Sequence, residues 1–368
     1  MRNEKLKRKN ISKNIMNIKR VLGKVFSPLP HREGLGESLL GMGLFILLFC
    51  AVGCKNPQPA TVNPQPVVNI QFLADSAFAY CQAQCDFGPR TMNSEAHERC
   101  AQWIQQKFEQ FGCNVEMQQA NLIGYDGTTL RSTNIIAHHS SPDTTHQVPT
   151  ILICAHWDSR PWADNDPDAA NHHTPVMAAN DGASGVGVML ELARLIQQYG
   201  DSLNVNVDFV CFDAEDWGIP QWSNAPDNGR SWALGSQHWA AQYAQNKSQT
   251  YQYGILLDMV GGQGARFYQE SMSLKYARSV VDKVWAAASV AGYGSMFPND
   301  EGSGITDDHI PVNQVAGIPC IDIIPYYPDC PQSSFGPTWH TVNDDMQHLD
   351  RATLQAVGQT LVQLIFSE

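Results

Sequence analysis

Residues 149–156 read PTILICAH, and residues 205–213 read VNVDFVCFD. Both runs are of strand length and mostly apolar. Both stop abruptly at polar residues, the first at His156-Trp157-Asp158 and the second at Asp213-Ala214-Glu215-Asp216. Such a short apolar run suits a strand covered on both faces, as in a parallel sheet packed between helices. Working outward, residues 130–139, 253–259 and 318–324 are also strand-like. Helical spacing of apolar residues occupies 74–86, 94–112, 183–199, 231–245, 272–291 and 350–366. In the second of these Trp103, Ile104, Phe108 and Phe111 form the stripe, and Gly112 ends it. Strands alternating with helices predict an α/β fold. We expect one domain over 70–368, with a central mixed, mostly parallel β-sheet flanked by helices. No internal repeat interrupts it.

The 368 residues carry a formal charge of −12. That figure averages two unlike parts. Residues 1–53 hold 10 Lys and Arg against 3 Asp and Glu; from Cys54 onward there are 14 basic and 33 acidic residues, a balance of −19. An acidic body argues against a nucleic-acid partner, which needs a basic field. Hydrophobic residues make up 43% of the chain, enough for a full core and too many for a disordered protein.

The basic head leads into residues 39–53, LLGMGLFILLFCAVG, followed by Cys54. This run is short for a membrane span, which needs about 20 residues, and suits the apolar core of an export signal. Ala51-Val52-Gly53-Cys54 resembles the lipobox of bacterial lipoproteins, although leucine is usual where Ala51 stands. The resemblance implies a lipid anchor at Cys54 and export to the bacterial envelope. The stretch before it is long for a signal head, and Met16 and Met42 are alternative starts. Residues 54–69 form a Pro-rich tether. No CxxC pair exists, so a zinc ribbon is excluded. Cys81 and Cys85, four apart on one helix, are expected core thiols.

In open α/β sheets, ligands gather past the carboxyl ends of strands, and the unusual polar residues of this chain sit there. His156 and Asp158 suit a metal ligand and its orienting carboxylate. Asn180-Asp181-Gly182-Ala183-Ser184-Gly185 opens a helix, where Asp181 could serve as a simple cap. Asp213, Glu215 and Asp216 place three acids just past a buried strand, which is costly unless they are solvated or bound to a cation. Asp258 interrupts the apolar run LLDMV. Later come Thr306-Asp307-Asp308-His309-Ile310-Pro311 and Trp339-His340-Thr341. Each is weak alone. The ordered set is specific.

That set, over roughly residues 70–368, resembles the zinc exopeptidase family, which includes di-zinc aminopeptidases and animal-type glutaminyl cyclases. Gly88-Pro89-Arg90, NDGASG, FDAEDWG, LLDMVGG, DDHIP and WHT look most like the cyclases. The resemblance implies one zinc held by Asp181, Asp216 and His340, although family members often use Glu where Asp216 stands. It implies Glu215 as general acid/base, and Asp258 and Asp307 as the acids of a hydrogen-bond network. Trp222, Ile305, Ile324, Phe335 and Trp339 would line the pocket. His156 and Asp258 match positions that bind a second metal in the peptidases, and His156 with Asp158 is a candidate second-metal or supporting pair. His172 and His173 are read as loop surface.

The implied reaction converts the N-terminal glutamine of peptides or proteins to pyroglutamate with release of ammonia. A di-zinc aminopeptidase is the alternative. A non-catalytic ectodomain ranks third, since the ligands and the base are all present. A monomer is expected.

Overall fold

The computed structural model describes residues 66–139, 148–226, 229–247 and 249–368. The export segment, Cys54 and most of the tether lie outside the described residues. Six strands form one mixed sheet: β1 (Asn114–Ile123), β2 (Thr129–His139), β3 (Thr150–His156), β4 (Asn206–Phe212), β5 (Tyr251–Leu257) and β6 (Cys320–Ile323). Their order across the sheet is β1-β2-β4-β3-β5-β6. β3 is parallel to β4 and β5, and β5 to β6, whereas β2 runs antiparallel to β1 and β4.

The central strands are covered on both faces. In β3 the side chains of Ile151, Ile153 and Ala155 enter the larger core, while Leu152 and Cys154 enter the smaller one. β4 divides in the same way, with Val207, Phe209 and Cys211 on one side and Val210 and Phe212 on the other. This two-residue alternation between two dry faces explains why these strands read as apolar runs. The larger core is completed by α1 (Ala74–Cys85), α2 (Glu95–Gln110), α3 (Ala183–Tyr199), α5 (Ser271–Val290) and α6 (Arg351–Ile365). The smaller is closed by α4 (Leu234–Gln245) and the segment Val312–Ala316. Cys81 and Cys85 are buried thiols on α1.

The expected mixed α/β sheet is present, with three local differences. β1 has no counterpart in the sequence reading. Its burial alternates between exposed and half-buried residues, and its sequence NVEMQQANLI is too polar to signal a strand. α4 starts at Leu234 rather than at residue 231. Asp258 stands just past the end of β5, not inside it, and its N–H donates to the Ile323 carbonyl.

The chain from Pro66 to Ala74 lies along α6, gripped by glutamines. Gln363 Nε2 donates to the Pro66 carbonyl and its Oε1 accepts the Val68 N–H; Gln359 does the same for Ile70 and Phe72. Gln355 Oε1 accepts the Ala74 N–H at 3.3 Å.

Candidate active site and metal centre

His156, the last residue of β3, is 1% exposed. Its Nε2 lies 2.9 Å from Asp181 Oδ1 and 3.3 Å from Asp258 Oδ1. Asp181 arrives from the turn that opens α3, and it is not the cap: Gly182 flanks the helix and no side chain caps it. Gly182 has φ of 115°, and a Cβ there would lie 2.8 Å from the Asp158 carbonyl oxygen. At Gly185 a Cβ would meet the Leu257 carbonyl oxygen at 2.4 Å. The small residues of NDGASG therefore seat the start of α3 against the ends of β3 and β5, and this brings Asp181 into the site.

On its other side Asp181 Oδ2 is 3.6 Å from His340 Nε2, which is itself 3.2 Å from Asp216 Oδ1. Two groups result, His156/Asp181/Asp258 and Asp181/Asp216/His340, each with ligand atoms within 4.8 Å of one another. Asp181 belongs to both. The donors fit a divalent metal ion: they are imidazole and carboxylate, and Asp216 Oδ2 is buried without a hydrogen-bond partner. Burial opposes charge on Asp181, but His156 and His340 hold its carboxyl below the usual range. Burial likewise opposes charge on His156, yet Asp158, Asp181 and Asp258 raise it well above an ordinary imidazole.

β4 ends at Phe212, and Ala214, with φ of 52°, turns the chain. The Asp158 carboxylate then accepts the N–H of Glu215 at 3.1 Å and of Asp216 at 3.2 Å, one on each oxygen. It is 3.6 Å from His156 Nδ1, too far for a hydrogen bond, so its main contact is with this loop. Asp216 enters the ligand cluster and Glu215 faces the neighbouring cavity. Enclosure by protein, and then the charge of Asp216, push the Glu215 carboxyl well above its ordinary pKa.

The cavity has a volume of about 450 Å³ and is lined by Glu215, Asp258, Asp307, Ile305, Ile324, Phe335 and Trp339, with Asp181 and His340 also on its wall. Burial, with added repulsion from Asp307 and Asp181, pushes Asp258 to about 7 despite the His156 contact. Asp307 is also raised by burial.

Trp222, expected in the pocket, stands outside it. It is 41% exposed and packs against Trp162 and His173. The reason is local: the Gln221 N–H donates to Asp164 Oδ2, and the Gln221 side chain bonds Asn165, which pins this stretch outside. Trp232 takes the wall position instead, its ring parallel to His340 at 6.0 Å. Sequence reasoning assigned Trp232 to a helix. It also missed Asp164, 3.5 Å from His340 Nδ1, and Asp344, which accepts the N–H groups of Asn180 and Asp181. Their signal was weak, since both lie in acidic loops that read as surface.

Residues 134–365 match the model of peptidase family M28. The chain belongs to peptidase family M28. Among solved structures, a Bacteroides thetaiotaomicron glutaminyl cyclase bound to N-acetylhistamine is 46% identical, with a TM-score of 0.77 over 81% of this chain and 99% of that one. A Zn-dependent exopeptidase from Parabacteroides distasonis is 43% identical, with a TM-score of 0.76 over 82% of this chain and all of that one. The Bacillus subtilis aminopeptidase YwaD is 25% identical over 65% of this chain; the match spans less than half (45%) of that relative's length.

Proposed function

We propose that this M28 chain is a glutaminyl-peptide cyclotransferase. It closes the α-amino group of an N-terminal glutamine onto the side-chain amide carbon, forming pyroglutamate and ammonia. The observation that carries this reading is Asp307, a buried carboxylate that lines the cavity together with Glu215 and Asp258. Hydrolysis and cyclisation both move a proton from the nucleophile to a departing nitrogen, and one carboxyl, Glu215, can serve either. Cyclisation must in addition hold the side-chain amide nitrogen of glutamine in place, which gives the further acids a task. The glutaminyl cyclase of Bacteroides thetaiotaomicron, 46% identical, supports the same reading.

Asp181, Asp216 and His340 would hold zinc, which supplies polarisation of the side-chain carbonyl and stabilises the charge that develops on its oxygen. Glu215 takes the proton from the attacking amine and returns it to the leaving nitrogen. Its raised pKa makes both halves of that transfer feasible. Asp258 and Asp307 act as a coupled pair that orients the amide nitrogen. Trp232, Phe335 and Trp339, with Ile305 and Ile324, hold the glutamine stem and exclude competing water.

The His156/Asp181/Asp258 group favours a second reading, a two-metal aminopeptidase with Glu215 as base to an activated water. One experiment separates them: a short Gln-leading peptide is incubated with the purified chain, and zinc is counted on the same sample. Ammonia with one zinc supports the cyclase. A released amino acid with two zincs supports the peptidase and sinks the cyclase reading. We also propose that the chain is exported, anchored through lipid on Cys54, and monomeric. Cell fractionation of wild type and Cys54→Ala tests the anchor, and a sedimentation measurement tests the oligomeric state.

A further inference from the structure

The segment that follows the first strand-end loop reads RPWADND, Arg160–Asp166. As sequence it belongs to a polar, irregular stretch. In the fold Arg160, Asp164 and Asp166 are buried, and Arg160 is 1% exposed. The Arg160 guanidinium sits near the rings of Trp162 and Trp232, 5.4 and 4.7 Å from their centroids. Nε and Nη2 donate to the two oxygens of Asp164, each at 2.6 Å. Nη1 donates to the Asp216 carbonyl at 3.1 Å and lies 3.4 Å from Asp216 Oδ1.

Asp164 carries the connection to His340. Its Oδ1 lies 3.5 Å from His340 Nδ1, on the side of the ring away from Asp181 and Asp216. The next residue completes the hold: Asn165 N–H donates to the His340 carbonyl at 3.0 Å and its side chain to the Trp339 carbonyl at 3.2 Å. His340 needs such a hold, because its φ of 54° is in the left-handed region, which a residue with a Cβ rarely adopts.

We propose that Arg160 is a positioning residue for the metal centre, fixing Asp216 directly and His340 through Asp164. The planar fork of arginine can grip both oxygens of Asp164 while a third nitrogen reaches Asp216. Lysine, a point charge, cannot do both. A buried ion pair of this kind is tolerated only when well hydrogen-bonded, and groups that orient metal ligands typically control affinity by 10- to 100-fold. The inference rests on the reading of Asp181, Asp216 and His340 as zinc ligands. It does not depend on which reaction follows.

The test uses the full chain stripped of metal, with zinc affinity measured by competition against a chromophoric chelator and the metal-free Tm recorded alongside. Two variants are compared with wild type: Arg160→Lys, which keeps the charge without the fork, and the pair Arg160→Met with Asp164→Asn, which leaves no buried charge alone. Both are expected to bind zinc about tenfold or more weakly. Wild-type affinity in both variants overturns the proposal, whatever happens to the metal-free Tm, because a purely structural role would lower only the latter. Failure of the underlying reading shows differently: wild type itself would then bind no zinc.

Discussion

The carboxylate of Asp344 accepts the backbone N–H of Asp181 at 3.0 Å, and its other oxygen accepts that of Asn180 at 2.7 Å. A buried acid thus holds the backbone of the one residue shared by both ligand groups. Burial and the nearby Asp181 charge push Asp344 to about 7, well above an ordinary carboxyl. The folded chain therefore binds a proton here that the unfolded chain has released. By linkage this contribution is complete below about pH 4 and is lost as pH rises toward 7. Asp258 and the raised His156 act with the same sign. Urea unfolding of the metal-free protein should show stability falling between about pH 4 and 7, with a shallower slope in Asp344→Asn. Equal slopes would contradict the role assigned to Asp344.

Glu215 lies beside the ligand Asp216 in sequence but faces the cavity, because Asp158 fixes both backbone N–H groups. Chemistry and metal binding should therefore separate at these neighbours. Glu215→Gln is expected to lower kcat by about 10²- to 10⁴-fold while zinc affinity stays at the wild-type level. Asp216→Asn should weaken zinc binding itself. Steady-state kinetics with metal analysis checks both, and full turnover by Glu215→Gln would remove it from the acid/base role.

Removing metal should destabilise the fold as well as stop the reaction. Five carboxyl or imidazole side chains, His156, Asp181, Asp216, Asp258 and His340, converge in the two ligand groups, and Asp216 Oδ2 has no hydrogen-bond partner. Zinc at 100 times its dissociation constant contributes about 2.7 kcal/mol. For a domain of about 300 residues that corresponds to a rise in Tm of roughly 4 °C. Differential scanning calorimetry of chelated and reloaded protein measures it. A Tm unchanged by zinc would show that these groups do not hold the ion in the folded state.

The residues that were legible in the sequence owe this to the sheet. His156, Asp216 and Asp258 stand at or just past the ends of apolar strands, where a polar residue after a dry run is conspicuous. The supporting residues gave no comparable signal. Asp164 and Asp344 lie in acidic loops, and only the fold reveals that they are buried against His340 and Asp181. Trp222 and Trp232 could not be told apart for a similar reason, since the hydrogen bond from Gln221 to Asp164 decides which ring reaches the cavity. β1 escaped because an edge strand with one half-buried face has no need of an apolar run.

The glutamine grip on residues 66–74 makes the start of the described chain part of the core's stability. Phe72 is 2% exposed and covers Gly358, where a Cβ would lie 2.3 Å from its ring. Gly358→Ala should therefore push Phe72 off α6 and cost about 1–3 kcal/mol. The double change Gln359→Ala with Gln363→Ala removes four hydrogen bonds, each contributing about 0.5–1.5 kcal/mol, and leaves the buried Phe72 N–H without its acceptor. Both variants should unfold at lower temperature, and proteolysis should cut them first between residues 66 and 74. A wild-type Tm together with wild-type resistance to cleavage would show that this segment contributes no stability to the fold. Because the grip lies on α6 and not at the strand ends, zinc affinity should be unaltered in either variant.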